Sequence, residues 1–242
     1  DVPQNFDPAV GGRFLRQELR AIADEIAALT GRAVTDEALS RSIALYNENR
    51  RLVRQLCELR RASPGRAPAS EAYALLRAGC VIPVEEQNRR LASYLEAAPR
   101  RERATLDNCR VLLRGAFCEP PPPALLVTLE RSGCDVVDDD LVLVTRYITE
   151  DVDESLDPWD GLARAFLEHA VSTASLYSAR KTGGAALVEA VRRSGAEGVV
   201  FAAPSFCDPA LLDQPMLAAA CDRAGIAHTA FKYAEDMGQL QS

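Results

Sequence analysis

Val199–Pro215 reads VVFAAPSFCDPALLDQP, and this stretch decides the fold. Val199 to Ala203 form an apolar run of strand length that halts at Pro204. Asp208 and Pro209 then read as the cap and first turn of a helix, which closes at Gly225. A buried strand that hands over to a helix within a few residues is half of a βαβ unit, and such units imply a parallel sheet. The connecting loop holds one thiol, Cys207.

The same grammar extends backward. CRVLLRGA (109–116) reads as a strand, PPPALLVTLERSG (121–133) as a helix with proline at its start and glycine past its end, and CDVVDDD (134–140) as the next strand. Helices near 157–170 and 183–194 and a last strand, IAHTAFKY (226–233), complete an α/β pattern. Strands separated by helices predict a parallel, doubly wound sheet with right-handed crossovers. Before residue 106 the pattern is helical throughout. FLRQELRAIADEIAALTG puts Phe14, Leu15, Leu19, Ile22, Ile26 and Leu29 on one stripe ending at Gly31, and a second long helix runs from a Thr35 cap. After a loop at 62–70, two shorter helices follow, the second after Pro83. The expected organisation is a helical region, 1–106, followed by a carboxyl-terminal α/β, flavodoxin-like lobe, 107–242.

At 242 residues, with 48% hydrophobic and 26% charged residues, the chain has the balance of a globular protein able to bury a core without disulfides. A net charge of −7 argues against a nucleic-acid backbone or an anionic membrane as its main partner. The seven cysteines include no C-x-x-C pair, so neither a complete zinc ribbon nor a local ferredoxin-type run is present. No apolar stretch approaches a membrane span and no basic, apolar leader opens the sequence, which makes a reducing cytoplasm the expected compartment. The opening DVPQNFDP lacks Met and the ending KYAEDMGQLQS lacks a helical close, so a piece of a longer chain is expected.

In an open parallel sheet, ligands bind beyond the carboxyl ends of the strands. This sorts the cysteines. Cys109 and Cys134 open their strands, at the edge where chemistry is uncommon, and read as structural. Cys57 and Cys221 share apolar helix stripes and read as small hydrophobes, while Cys80 at a helix end stays undecided. Cys118 and Cys207 each follow a strand and precede a proline-started segment. A helix start favours the thiolate form of a nearby thiol, the form a metal requires, so Cys207 reads as a metal ligand or as an inert loop cysteine. Asp138, Asp139, Asp140, Arg146, Lys232, Tyr233, Glu235 and Asp236 fall on the same edge, as pocket residues or as caps and ion-pair partners. No G-x-G-x-x-G follows a strand and no G-x-x-x-x-G-K-[ST] occurs, so autonomous nicotinamide or ATP binding is not indicated. Gly183-Gly184 before a helix reads as a simple turn, and His169 and His228 form no metal or nucleophilic spacing.

Six strings carry a resemblance: GVVFAAPSFCDPALLDQPML (198–217), DPAVGGRFLRQELRAIA (7–23), SIALYNENRR (42–51), RVLLRGAFCEPPP (110–122), SGCDVVDDD (132–140) and KYAEDMGQ (232–239). Together they strongly resemble the cluster-bearing subunits of ATP-dependent benzoyl-CoA reductases, in the 2-hydroxyacyl-CoA dehydratase/benzoyl-CoA reductase family. The resemblance runs over essentially the whole chain, and APSFCDPALLDQP points to the reductase side. It implies a heteromeric, oxygen-sensitive enzyme that reduces the aromatic ring of benzoyl-CoA to a cyclic diene thioester. Two related subunits would carry the clusters and the acyl-CoA site, and a separate ATP-hydrolysing activator pair would deliver single electrons. It also implies Cys207, and secondarily Cys118, as ligands of a [4Fe-4S] cluster completed by an amino-terminal lobe outside this sequence. Asp138, Arg146 and Glu235 are substrate-side candidates by position only, and no proton donor is assigned. Two alternatives stand beside this reading: a 2-hydroxyacyl-CoA dehydratase subunit, and a cluster-free scaffold subunit of such a complex.

Overall fold

Short strands with continuous buried runs build the sheet around which the larger part of the chain folds. The structure is a computed structural model that describes residues 7–103, 106–115, 121–141, 148–170 and 183–234. Strands β1 (Cys109–Arg114), β2 (Cys134–Asp139), β3 (Gly198–Pro204) and β4 (Ala227–Tyr233) are all parallel, in the order β2-β1-β3-β4. This order matches the first four strands of the flavodoxin-like arrangement. Helix α5 (Pro123–Arg131) leads from β1 to β2, α7 (Gly183–Ser194) precedes β3, and α8 (Asp208–Ala224) joins β3 to β4.

Val111, Leu113, Val136, Val200 and Ala202 face one side of the sheet, in a core with Leu56, Tyr73, Leu76, Leu91 and Leu126. Leu112, Val199 and Phe201 face the other, against Leu187 and Val191 of α7 and Leu217 and Cys221 of α8. Each fully buried side chain of this kind contributes about 1.5–3 kcal/mol, so two apolar faces require helices on both sides. The doubly wound α/β class expected from the sequence is the class observed.

The described residues form two compact units that do not follow a cut at 106/107. Residues 52–103 belong with the sheet, because α3 (Ala69–Ala78), α4 (Val84–Ala97) and the end of α2 (Asp36–Ala62) cover the Val111 face. The other unit comprises residues 7–51 and 148–170, with α1 (Pro8–Thr30), the first part of α2 and α6 (Pro158–His169). Within it, Leu15 packs on Ala163 and Leu167, and the Trp159 indole N–H donates to Asp36 at 2.7 Å. Asn47 is buried there. Its amide donates to the Val152 carbonyl and to Glu154, and its oxygen accepts the Val152 N–H, each at 2.8 Å. The apolar stripe expected on α1 is only partly a core face: Leu15 is buried, whereas Phe14, Ile22, Ile26 and Leu29 are exposed. A second difference is the start of α8, where Cys207 occupies the cap position and Asp208 is the first helical residue.

Candidate functional site

The strand order reverses between β1 and β3, since β1 connects outward to β2 and β3 outward to β4. That reversal opens a crevice beyond the carboxyl ends of the two central strands. A narrow cleft lies there, lined by Arg114 and Gly115 after β1, Asp140 after β2, Ala203 on β3, and Ala210 and Asp213 on α8. Gly115 is required at its rim. Its φ of +107° is strained for any residue with a side chain, and an added Cβ would lie 3.0 Å from the Ala202 carbonyl oxygen. Its N–H donates to Asp140 Oδ2 at 2.8 Å, and Arg114 Nε stands 3.4 Å from the same oxygen. Asp140 is thereby fixed as the polar floor where β1 and β2 end.

Cys207 sits behind the cleft wall. Its N–H donates to the Pro204 carbonyl at 3.0 Å, and its own carbonyl accepts the Leu211 N–H at 3.1 Å, so a tight turn carries β3 directly into α8. Ser205 ties this turn to β4 by donating from its N–H and its hydroxyl to the Tyr233 carbonyl, at 2.8 and 3.0 Å. The thiol is buried, 7% exposed, among Ala203, Ala210 and Leu211, while the neighbouring Phe206 is 85% exposed. Pro215 inside α8 lacks an N–H and removes one helical bond two turns beyond this start. The six described cysteines are all thiols. Among the described residues, no three His, Cys, Asp or Glu side chains are grouped to hold a metal ion. These residues therefore fit a metal or cluster through one donor, the shielded Cys207 sulfur at the helix start. Cys118, Arg146 and Glu235, the other residues singled out in the sequence, lie outside the described residues.

The VVDDD end of β2 is bound up in ion pairs. Asp139 pairs with Arg60 at 2.6 Å with both side chains under 5% exposed, and Asp138 accepts from Arg61 at 3.1 Å with Arg193 at 3.9 Å. A bulge between Val111 and Leu112 in the β1–β2 register, which skips Val137, sets where these two carboxylates stand. Burial pulls the Arg60 guanidinium toward neutrality, but the charge of Asp139, together with Cys57, Asp138 and the hydrogen bond to Asp139, outweighs this and raises its pKa, so Arg60 stays cationic. Burial pushes the neighbouring Cys57 thiol up. Asp138, expected on the substrate side, thus has its carboxylate occupied by two arginines.

A family model described as 2-hydroxyglutaryl-CoA dehydratase, D-component, matches residues 1–242. The chain belongs to that family. It is 47% identical over 242 residues, all of this chain and 63% of the relative, to one of the benzoyl-CoA reductase subunits of Thauera aromatica. It is 26% identical over 227 residues to the (R)-phenyllactyl-CoA dehydratase beta subunit of Clostridium sporogenes, covering 94% of this chain and 60% of the relative. The same identity, over 251 residues, relates it to the (R)-2-hydroxyglutaryl-CoA dehydratase beta subunit of Acidaminococcus fermentans, covering 99% and 64%. The chain spans a little under two thirds of the length of these curated relatives.

For this member of the dehydratase D-component family, sequence reasoning found the loop of Cys207 and the acidic end of β2 but missed the arginines. Arg60 and Arg61 close α2 as an ordinary basic last turn, a pattern that reads as a solvated helix end. Gly115 reads as part of the strand CRVLLRGA, whereas β1 ends at Arg114 and Gly115 turns the chain at positive φ against Ala202.

Proposed function

We propose that this chain is part of a cluster-bearing subunit of a benzoyl-CoA reductase. The 47% identity to the Thauera aromatica benzoyl-CoA reductase subunit along the entire chain carries the reading, against 26% to the two dehydratase beta subunits. In this reading the protein works in a heteromer with a homologous subunit and ATP-hydrolysing activator subunits, acting on an aromatic acyl-CoA. The buried Cys207 supports the assignment of one thiolate ligand to a [4Fe-4S] cluster, the other ligands coming from Cys118 or from beyond this sequence. When bound, such a cluster supplies single electrons at low potential. The chain's own contribution is to hold the sulfur rigidly through the Ser205–Tyr233 and Pro204–Cys207 hydrogen bonds, and to keep water away with Ala203, Ala210 and Leu211. Asp138, Arg146 and Glu235 stand as substrate-side proposals by position, with the Asp138 carboxylate held by Arg61 and Arg193. The reading places the protein in the cytoplasm, and no helix among the described residues is long and apolar enough to cross a membrane.

The test is anaerobic iron and acid-labile sulfide analysis of the full-length protein, with and without Cys207→Ser, alongside benzoyl-CoA-dependent oxidation of a reduced dye. Loss of iron and of dye oxidation in the variant is expected. Unchanged iron would remove Cys207 from the ligand set and favour the scaffold reading, which the single described donor also suits. Dehydration of a 2-hydroxyacyl-CoA without dye oxidation would transfer the chain to the dehydratase reading, as the family description suggests.

A further inference from the structure

The edge of the sheet opposite the cleft holds a pair of thiols that the proposed function leaves unused. Cys109 and Cys134 are the first residues of β1 and β2 and face each other directly in the parallel register. Strand alternation puts both on one face. Cys109 shares a side with Val111 and Leu113, and Cys134 shares one with Val136, all of them on the α2–α5 side of the sheet. The bulge begins only after Val111, so it does not separate the two cysteines. Adjacent strands run about 4.8 Å apart, inside the roughly 4.4–6.8 Å that Cα atoms span across a disulfide. The pair is held in place: the Cys109 N–H donates to the Gly133 carbonyl at 2.9 Å, and the Asn108 amide donates to Asp135 at 3.0 Å. Cys109 is exposed, whereas Cys134 is half-buried behind it.

We propose that Cys109 and Cys134 form an oxidisable dithiol that closes to a cross-strand disulfide by exchange with a low-molecular-weight disulfide. The exposed Cys109 thiolate attacks one sulfur of the oxidant, whose S–S bond breaks, releasing one small thiol and leaving a mixed disulfide on Cys109. The Cys134 thiolate then displaces the second small thiol and completes the Cys109–Cys134 bond. Two protein thiols give up two protons and two electrons, and the oxidant takes them up as two thiols. Burial, with Cys109 next in weight, raises the Cys134 pKa, so the closing step speeds up as pH rises. The outcome is a reversible clamp on β1 and β2 at the edge farthest from Cys207, which makes the edge a redox-modification site separate from any cluster.

The full-length protein, isolated anaerobically, is equilibrated with oxidised glutathione, alkylated, and digested with trypsin without reduction. Cleavage at the flanking arginines places Cys109 in peptide 104–110, Cys134 in peptide 132–146 and Cys118 in neither. The expected product is a 104–110/132–146 disulfide-linked pair, lost on added reductant and absent in Cys134→Ser, where Cys109 retains glutathione. Recovery of Cys109 and Cys134 as separate glutathione adducts, or both unmodified while the exposed Cys80 is modified, overturns the proposal. Because the wild-type map decides the matter, the proposal stays testable even if the variant folds poorly.

Discussion

Removing one partner of the Arg60–Asp139 pair is expected to unfold the sheet unit more readily than any comparable surface change. The two groups meet at 2.6 Å with side chains 3% and 4% exposed. At an effective dielectric constant of about 20, charges this close attract by roughly 6 kcal/mol, most of it offset by the cost of taking both ions out of water. Breaking such a pair from one side forfeits the attraction and keeps the buried charge, at a cost of about 3–5 kcal/mol. Arg60→Met and Asp139→Asn are each expected in this range, and in Asp139→Asn the buried Arg60 cannot shed its charge by losing a proton near neutral pH. Asn at 139 can still accept the Leu141 N–H that Asp139 now accepts at 3.0 Å. The double variant removes both charges, so it should cost only about 1–3 kcal/mol for an imperfectly bonded amide. Urea unfolding of the full-length protein followed by far-UV circular dichroism reads this as a midpoint shift of about 1–3 M for each single change, with recovery in the double. Single changes costing under about 1 kcal/mol, or a double equal to the sum of the singles, would refute the claim that these two charges depend on each other.

Three further perturbations separate local causes. Gly115→Ala should cost about 1–3 kcal/mol, from a φ of +107° and a 3.0 Å approach to Ala202, whereas Gly31→Ala at φ +68° with open space around it should cost near 1 kcal/mol; matched thermal melts decide between them. Asn47→Ala strands the buried Val152 N–H and should cost about 2–3 kcal/mol, read as accelerated proteolysis within 148–157. Burial pushes Glu71 up, but donation from Arg103, Arg101 and Tyr94 outweighs it and holds the carboxyl below its usual pKa. Its stabilising effect is therefore fully present above about pH 4.3 and lost as pH falls through the lower folded value. The melting-temperature advantage of wild type over Glu71→Gln should shrink from pH 6 to pH 3, and a constant gap would count against it.

Fold and site were legible in the sequence to different depths, and the reason is range. The strands announced themselves because Val199, Val200 and Phe201, or Val111 and Leu112, alternate between two buried faces, which leaves an unbroken apolar run. Helix starts expected at 121, 157 and Asp208 fall within two residues of those observed, where Pro123, Pro158 and Pro209 stand at the first or second helical position. What failed were inferences about which face meets what. The α1 stripe reads as one core face, yet only part of it meets α6, because periodicity says which residues share a side and nothing about the width of the neighbour that covers it. The partners of Asp138 and Asp139 were invisible for the same reason: Arg60 and Arg61 are about eighty residues away, and the bulge at Val137 shifts the alternation on which any guess would rest.

The placement of the thiols follows one physical rule with two outcomes. A parallel sheet gathers every strand's start at one edge and every strand's end at the other, so a cysteine's position within its strand decides its company. Cys207, past the end of β3, meets a helix start and an apolar wall of Ala203, Ala210 and Leu211, surroundings that exclude water and suit a donor completed from elsewhere in a larger assembly. Cys109 and Cys134, at the starts of β1 and β2, meet each other in register with solvent on one side, surroundings that suit exchange with a soluble disulfide. A cysteine read as structural for standing at the amino edge is structural only while it stands alone. Once a neighbouring strand opens on a second thiol in the same register and on the same face, the sheet's own 4.8 Å spacing, about the reach of a disulfide, turns two inert residues into one reactive pair.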